Sequence, residues 1–109
     1  MSNPPSLAFG NGDALMSAQS LTLELSNLMA VPQAELIRKG LLALVEKEIR
    51  LAELEIAIIR ERYDVFSKEA LYQEIQANRI TGHPAWEDYI IWKNKEAHIA
   101  QLRQLAEQA

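Results

Sequence analysis

Between Leu42 and Ala70 an apolar side chain returns at alternating steps of three and four residues: Leu42, Val45, Ile49, Ala52, Ile56, Ile59, Tyr63, Phe66 and Ala70. This is the 3.5-residue period of a helix made to lie along another helix, held for about four heptads. A single helix cannot bury such a stripe against itself. Either the chain folds back on it or a second copy supplies the cover, because a strip of that size left wet exceeds what monomers carry. We therefore assign a dimer or core seam to Leu42, Val45, Ile49, Ala52, Ile56, Ile59 and Tyr63 and expect a helical homodimer.

The flanking sequence supports an all-α fold. Pro32 sits where a missing N–H costs nothing, in the first turn of a helix running from Gln33 to about Tyr63. Gly40 is its one strong breaker and either admits another backbone or is a tolerated defect. Upstream, SLTLELSNLMA carries two periods. Leu21, Leu23 and Leu25 alternate as in a strand, whereas Leu21, Leu25, Leu28 and Met29 share one helical face that a Ser20 cap would open. The helical reading is preferred, with Val31 before Pro32 marking its stop. Residues 1–17, with Pro4, Pro5, Gly10 and Gly12 and no periodicity, read as a flexible tail.

Downstream, Asp64 to Ser67 is a break, and Ser67 caps a short helix with Ala70, Leu71 and Ile75 on one side. Thr81-Gly82-His83-Pro84 is a turn. The last helix runs from Ala85 to about Glu107 and presents Trp86, Tyr89, Ile90, Trp92, Ile99, Leu102 and Leu105. The expected organisation is thus a single helical domain over 18–109, with a helix–turn–long helix over 20–63 and a C-terminal helical arm over 67–109.

Chemistry is scarce. The 109 residues include no cysteine and two histidines, so thiolate nucleophiles and cysteine–zinc sites are excluded. His83, in a turn before Glu87 and Asp88, reads as a surface cap rather than a metal or acid–base group. His98 has Lys95 three residues before it, not the glutamate of a di-iron bundle. No nucleophile elbow or glycine-rich phosphate loop occurs. The pairs Glu53 with Glu55 and Glu46 with Glu48 read as a solvated helix face, and Glu46–Arg50 and Glu35–Lys39 as ordinary i,i+4 support. The chain is read as no enzyme, with no cofactor and no metal. It holds no apolar run long enough to span a membrane and no secretory signal, so a cytoplasmic location is expected.

The aromatic content is concentrated. WEDYIIW brings Trp86, Tyr89 and Trp92 near one helical face, and Tyr72 precedes them. Such rings either close the end of a core or anchor a protein partner; Tyr72, Trp86, Tyr89 and Trp92 are the candidate partner-binding residues.

The segment LELSNLMAVPQAELIRKGLLALVEKEI resembles the helix–turn–helix half of ribbon-helix-helix proteins, especially antitoxins of bacterial type II toxin–antitoxin pairs. Glu35, Leu36, Ile37 and Arg38 stand at the opening of the second helix, and Leu41, Leu42 and Val45 follow as its apolar positions. RERYDVFSKEALYQEIQANRITGHPAWEDYIIW is similar in style to the C-terminal arms with which such antitoxins wrap a toxin. The resemblance implies a small module that binds and masks a protein partner such as a toxin, or a dimeric DNA-binding repressor. A structural coiled-coil subunit of a larger assembly is the third reading. DNA binding is disfavoured: the first 37 residues contain no Lys or Arg, and a strand that reads the major groove needs cations near the phosphates. Arg38, Lys39 and Lys47 are the candidate phosphate contacts.

Overall fold

A computed structural model describes the backbone of residues 11–108 and the side chains of residues 17–108. Four helices follow one another: α1 (Asn11–Met29), α2 (Gln33–Tyr63), α3 (Lys68–Gln76) and α4 (Gly82–Glu107), with no strand among the described residues. None of these helices is long and apolar enough to cross a membrane. The chain divides into two compact units, one ending at Leu41 and the other beginning at Leu42. That boundary falls inside α2.

The helical reading of residues 20–30 holds, but α1 begins at Asn11 and not at a Ser20 cap. Residues 11–17 are therefore helix where a flexible tail was expected; the rest of that expectation, residues 1–10, lies outside the described residues. Within α1, Thr22 Oγ1 donates to the Ala18 carbonyl at 2.8 Å, which gives a β-branched polar residue a local partner in the helix.

The first three helices end in the same way. Ala30, Asp64 and Asn78 have φ of 57°, 53° and 59°. At each, the left-handed residue donates its N–H three residues back, and the next residue donates five back: Ala30 to Asn27 and Val31 to Ser26, Asp64 to Glu61 and Val65 to Arg60, Asn78 to Ile75 and Arg79 to Glu74. This is the Schellman arrangement, which satisfies carbonyls that a helix end leaves orphaned. Glycine is the usual residue there, and none of the three is glycine. The left-handed Asp64 ends α2, and this removes Phe66 from the heptad stripe: its side chain is 91% exposed.

Helix starts follow the sequence more closely. The Pro32 carbonyl accepts from Leu36 N–H at the opening of α2. Ser67 Oγ accepts from Ala70 N–H at 3.0 Å to cap α3. His83 keeps extended backbone, φ −127° and ψ 117°, so the helical turns of α4 begin at Pro84. A Cβ on Gly40 would meet nothing within 4 Å, so this glycine admits no close backbone and is a tolerated defect.

In the unit from Leu42 onward, Ala52, Ile56 and Ile59 of α2, Val65, Leu71 of α3, and Ala85, Trp92 and Ile99 of α4 form one buried cluster, with Ile49, Tyr63, Ala70 and Tyr89 packed against it. The stripe from Ile49 to Tyr63 is thus covered by the chain itself. Of the dimer-or-core seam, this is the core alternative, because α3 and α4 fold back onto that face. Leu42 and Val45 are half-buried and fall outside this cluster.

Three ion pairs join α2 to α4: Glu53–Arg103 at 2.8 Å, Glu55–Lys95 at 2.8 Å and Asp88–Arg62 at 2.7 Å. Partners on α4 descend as those on α2 ascend, so the two helices run antiparallel. Glu53 and Glu55 are therefore cross-helix partners and not merely a solvated face. Glu35 pairs with Arg38 instead of Lys39, and Glu46–Arg50 is not among the described ion pairs.

Candidate protein-binding site

The cluster of Tyr72, Trp86 and Tyr89 forms where α3 lies against the start of α4. Leu71 is fully buried, which sets Tyr72, one residue on and about 100° around the helix, at the edge of the α3–α4 contact. Trp86 and Tyr89 are three residues apart in the first turns of α4, so their rings share a face. Trp86 and Tyr89 stack, with centroids 5.3 Å apart and planes at 22°. Tyr72 tilts against both, at 6.0 Å from Trp86 and 5.4 Å from Tyr89.

These separations are those of favourable aromatic pairs, each worth about 0.5–1.5 kcal/mol beyond the area it buries. The rings hold one another in place; Tyr72 and Trp86 remain open to solvent, 39% and 44% exposed, while Tyr89 is half-buried against the core. Ile90, one turn beyond Trp86, is 37% exposed and extends the apolar face. His83 Nδ1 and Glu87 Oε2, 2.7 Å apart, lie on the same opening turns.

Trp92 does not belong to this surface. It is fully buried, and its indole N–H donates to Glu96 Oε2 at 3.0 Å. Arg60 lies over its ring, 5.4 Å from the centroid. The assignment of Trp92 as a partner anchor is corrected: six residues after Trp86, the helix has turned it into the core. The other three candidate residues are brought together.

Two exposed apolar features escaped the sequence reading. Phe66 is one. The other is an outer row on α2, with Leu44, Leu51, Leu54 and Ile58 each 46–57% exposed. Leu44, Leu51 and Ile58 repeat every seven residues, one position ahead of the core stripe. Glu48 and Glu55 interrupt that row, which is why its periodicity is hard to see.

Of the candidate phosphate contacts, Arg38 is held bidentately by Glu35, with Nε and Nη2 donating at 2.9 and 3.0 Å. This pairing keeps the Glu35 carboxyl below its ordinary range. Lys39 and Lys47 are exposed. Both histidines are exposed, and among the described residues no group of three or more His, Asp or Glu side chains is placed to hold a metal.

A family model described as "Uncharacterized protein MJ0235 family" matches residues 16–109. No curated protein and no solved structure matches the chain.

Proposed function

We propose that this chain, which belongs to the MJ0235 family, is a small helical interaction module that binds and masks another protein, in the manner of an antitoxin. The observation that carries this reading is the self-supported set of rings in which exposed Tyr72 and Trp86 pack on half-buried Tyr89. Tyrosine and tryptophan dominate binding hot spots because they bury large area at small entropic cost. Rings already packed on one another lose little further freedom when a partner covers them, which favours affinity.

The rest of the surface is consistent with association. Exposed Leu51, Leu54 and Ile58 on α2 add apolar surface that a partner would cover. The repressor alternative has less to draw on, because Arg38, its first phosphate contact, is occupied by Glu35.

The test is co-purification of the tagged chain with the products of neighbouring reading frames, comparing the native sequence with the Tyr72→Ala/Trp86→Ala double variant. A protein retained by the native chain and lost from the folded variant supports masking through this face. Equal retention by both argues against it. Salt-sensitive retention on random duplex DNA at micromolar protein would favour the repressor instead.

A further inference from the structure

We infer that a second copy of this chain docks its α1 into the groove between α2 and α4, so that two chains exchange α1 helices. The groove holds about 400 Å³. Its floor is Ile56, Ile99 and Ala100, and Arg60 and Arg103 stand at its edges. It opens where α3 begins: Glu96 takes Lys68 Nζ at 2.6 Å, and Arg60 Nε donates to the Phe66 carbonyl at 3.3 Å. α3 has nine residues and α4 has 26, about 14 and 39 Å of helix. The short helix leaves the rest of the α2–α4 seam uncovered on that side.

The charges around the groove select its occupant. Glu53 is held by Arg103, and Glu96 is held by Lys68 and the Trp92 indole N–H. Arg60 stacks on Trp92 and has no carboxylate among the described ion pairs. The groove therefore favours an apolar helix bearing an acidic group. α1 is such a helix. Leu21, Leu25 and Leu28 lie on one face with Glu24 beside them, and Glu24 is the only charged residue between Asp13 and Glu35. Leu21 is 58% and Leu28 82% exposed, and a helix of this length needs tertiary cover to persist in water.

The dimensions agree. Leu21 to Leu28, Glu53 to Arg60 and Glu96 to Arg103 each advance seven residues, about 11 Å of helix. Each chain carries one α1 and one groove, so a twofold exchange closes without leaving a free end. This interface is separate from the Tyr72–Trp86–Tyr89 face, and either can stand without the other.

Sedimentation equilibrium of the full chain tests it, using the native sequence, Glu24→Lys, Arg60→Glu and the two combined. The native chain is expected to dimerise at micromolar concentration. Each single reversal should raise the dissociation constant roughly tenfold, and the pair should restore it to within about threefold. Leu28→Ser, at a site 82% exposed in the single chain, should weaken the dimer while leaving the helical signal of the monomer intact. A native chain that stays monomeric throughout overturns the inference. So does a dimer that Glu24→Lys and Leu28→Ser leave unchanged, or a paired reversal that recovers nothing.

Discussion

Tyr63, the last residue of α2, donates its phenolic hydrogen to Asp88 Oδ2 on α4 at 2.6 Å. Arg62 Nη1 donates to the same oxygen at 2.7 Å, and Asp88 is 8% exposed. A carboxylate this deep is tolerable only with such partners. Asp88→Ala leaves the Tyr63 hydroxyl without its acceptor and should cost about 2–3 kcal/mol in urea unfolding. Asp88→Asn keeps an acceptor oxygen in the same place and should cost less.

The same pair gives a pH dependence at the alkaline end. Burial, then the hydrogen bond to Asp88, raises the Tyr63 pKa above its ordinary value. The folded chain thus holds the phenolic proton more tightly than the unfolded chain. The resulting stability is fully present below the unfolded value of about 10 and is lost as pH rises through the higher folded value. Denaturant titrations between pH 8 and the alkaline limit should show a decline that Tyr63→Phe makes shallower; identical slopes in both chains would contradict this.

Position 56 separates core from surface. Ile56 is 5% exposed, and Ile56→Asp should unfold the helical body by placing an unpaired charge there, at a cost of several kcal/mol. Glu53→Ala removes only an exposed pair with Arg103 and should cost under about 1 kcal/mol. Circular-dichroism melts of the two variants check the contrast.

Much of this architecture is readable from residue order. The helical period, the Pro32 start, the Ser67 cap and the Pro84 turn are local signals, and each appears where its chemistry places it. Whether the stripe meets α4 or another chain is a tertiary question: Ile56 and Ile59 carry the same pattern in either case. The positive φ at Ala30 was hidden because alanine is a poor left-handed residue: Val31 before Pro32 marks where the helix stops but not the conformation that stops it. Trp86 and Trp92 read alike as aromatic positions on one helix, and only packing separates anchor from core. The ion pairs Glu55–Lys95 and Glu53–Arg103 join residues 40 and 50 apart, beyond the reach of an i,i+4 rule.

Two backbone positions leave stability unused. Ala30→Gly relieves a left-handed alanine and should stabilise the chain by about 1 kcal/mol. Gly40→Ala meets open space and should add up to about 1 kcal/mol through helix propensity. Thermal unfolding of each variant should show a raised midpoint.

The two tryptophans should behave oppositely. Trp92→Ala removes a fully buried side chain and should cost about 3–5 kcal/mol, whereas Trp86→Ala should leave the fold largely intact. Acrylamide should quench a chain retaining only Trp86 far more strongly than one retaining only Trp92.

The most direct test of the masking role is calorimetric titration of the co-purified partner onto the native chain and onto Trp86→Ala, at matched folded fraction. A hot-spot ring carries at least about 2 kcal/mol, so the variant should bind roughly 30-fold or more weakly. Equal affinity for both chains would contradict the account.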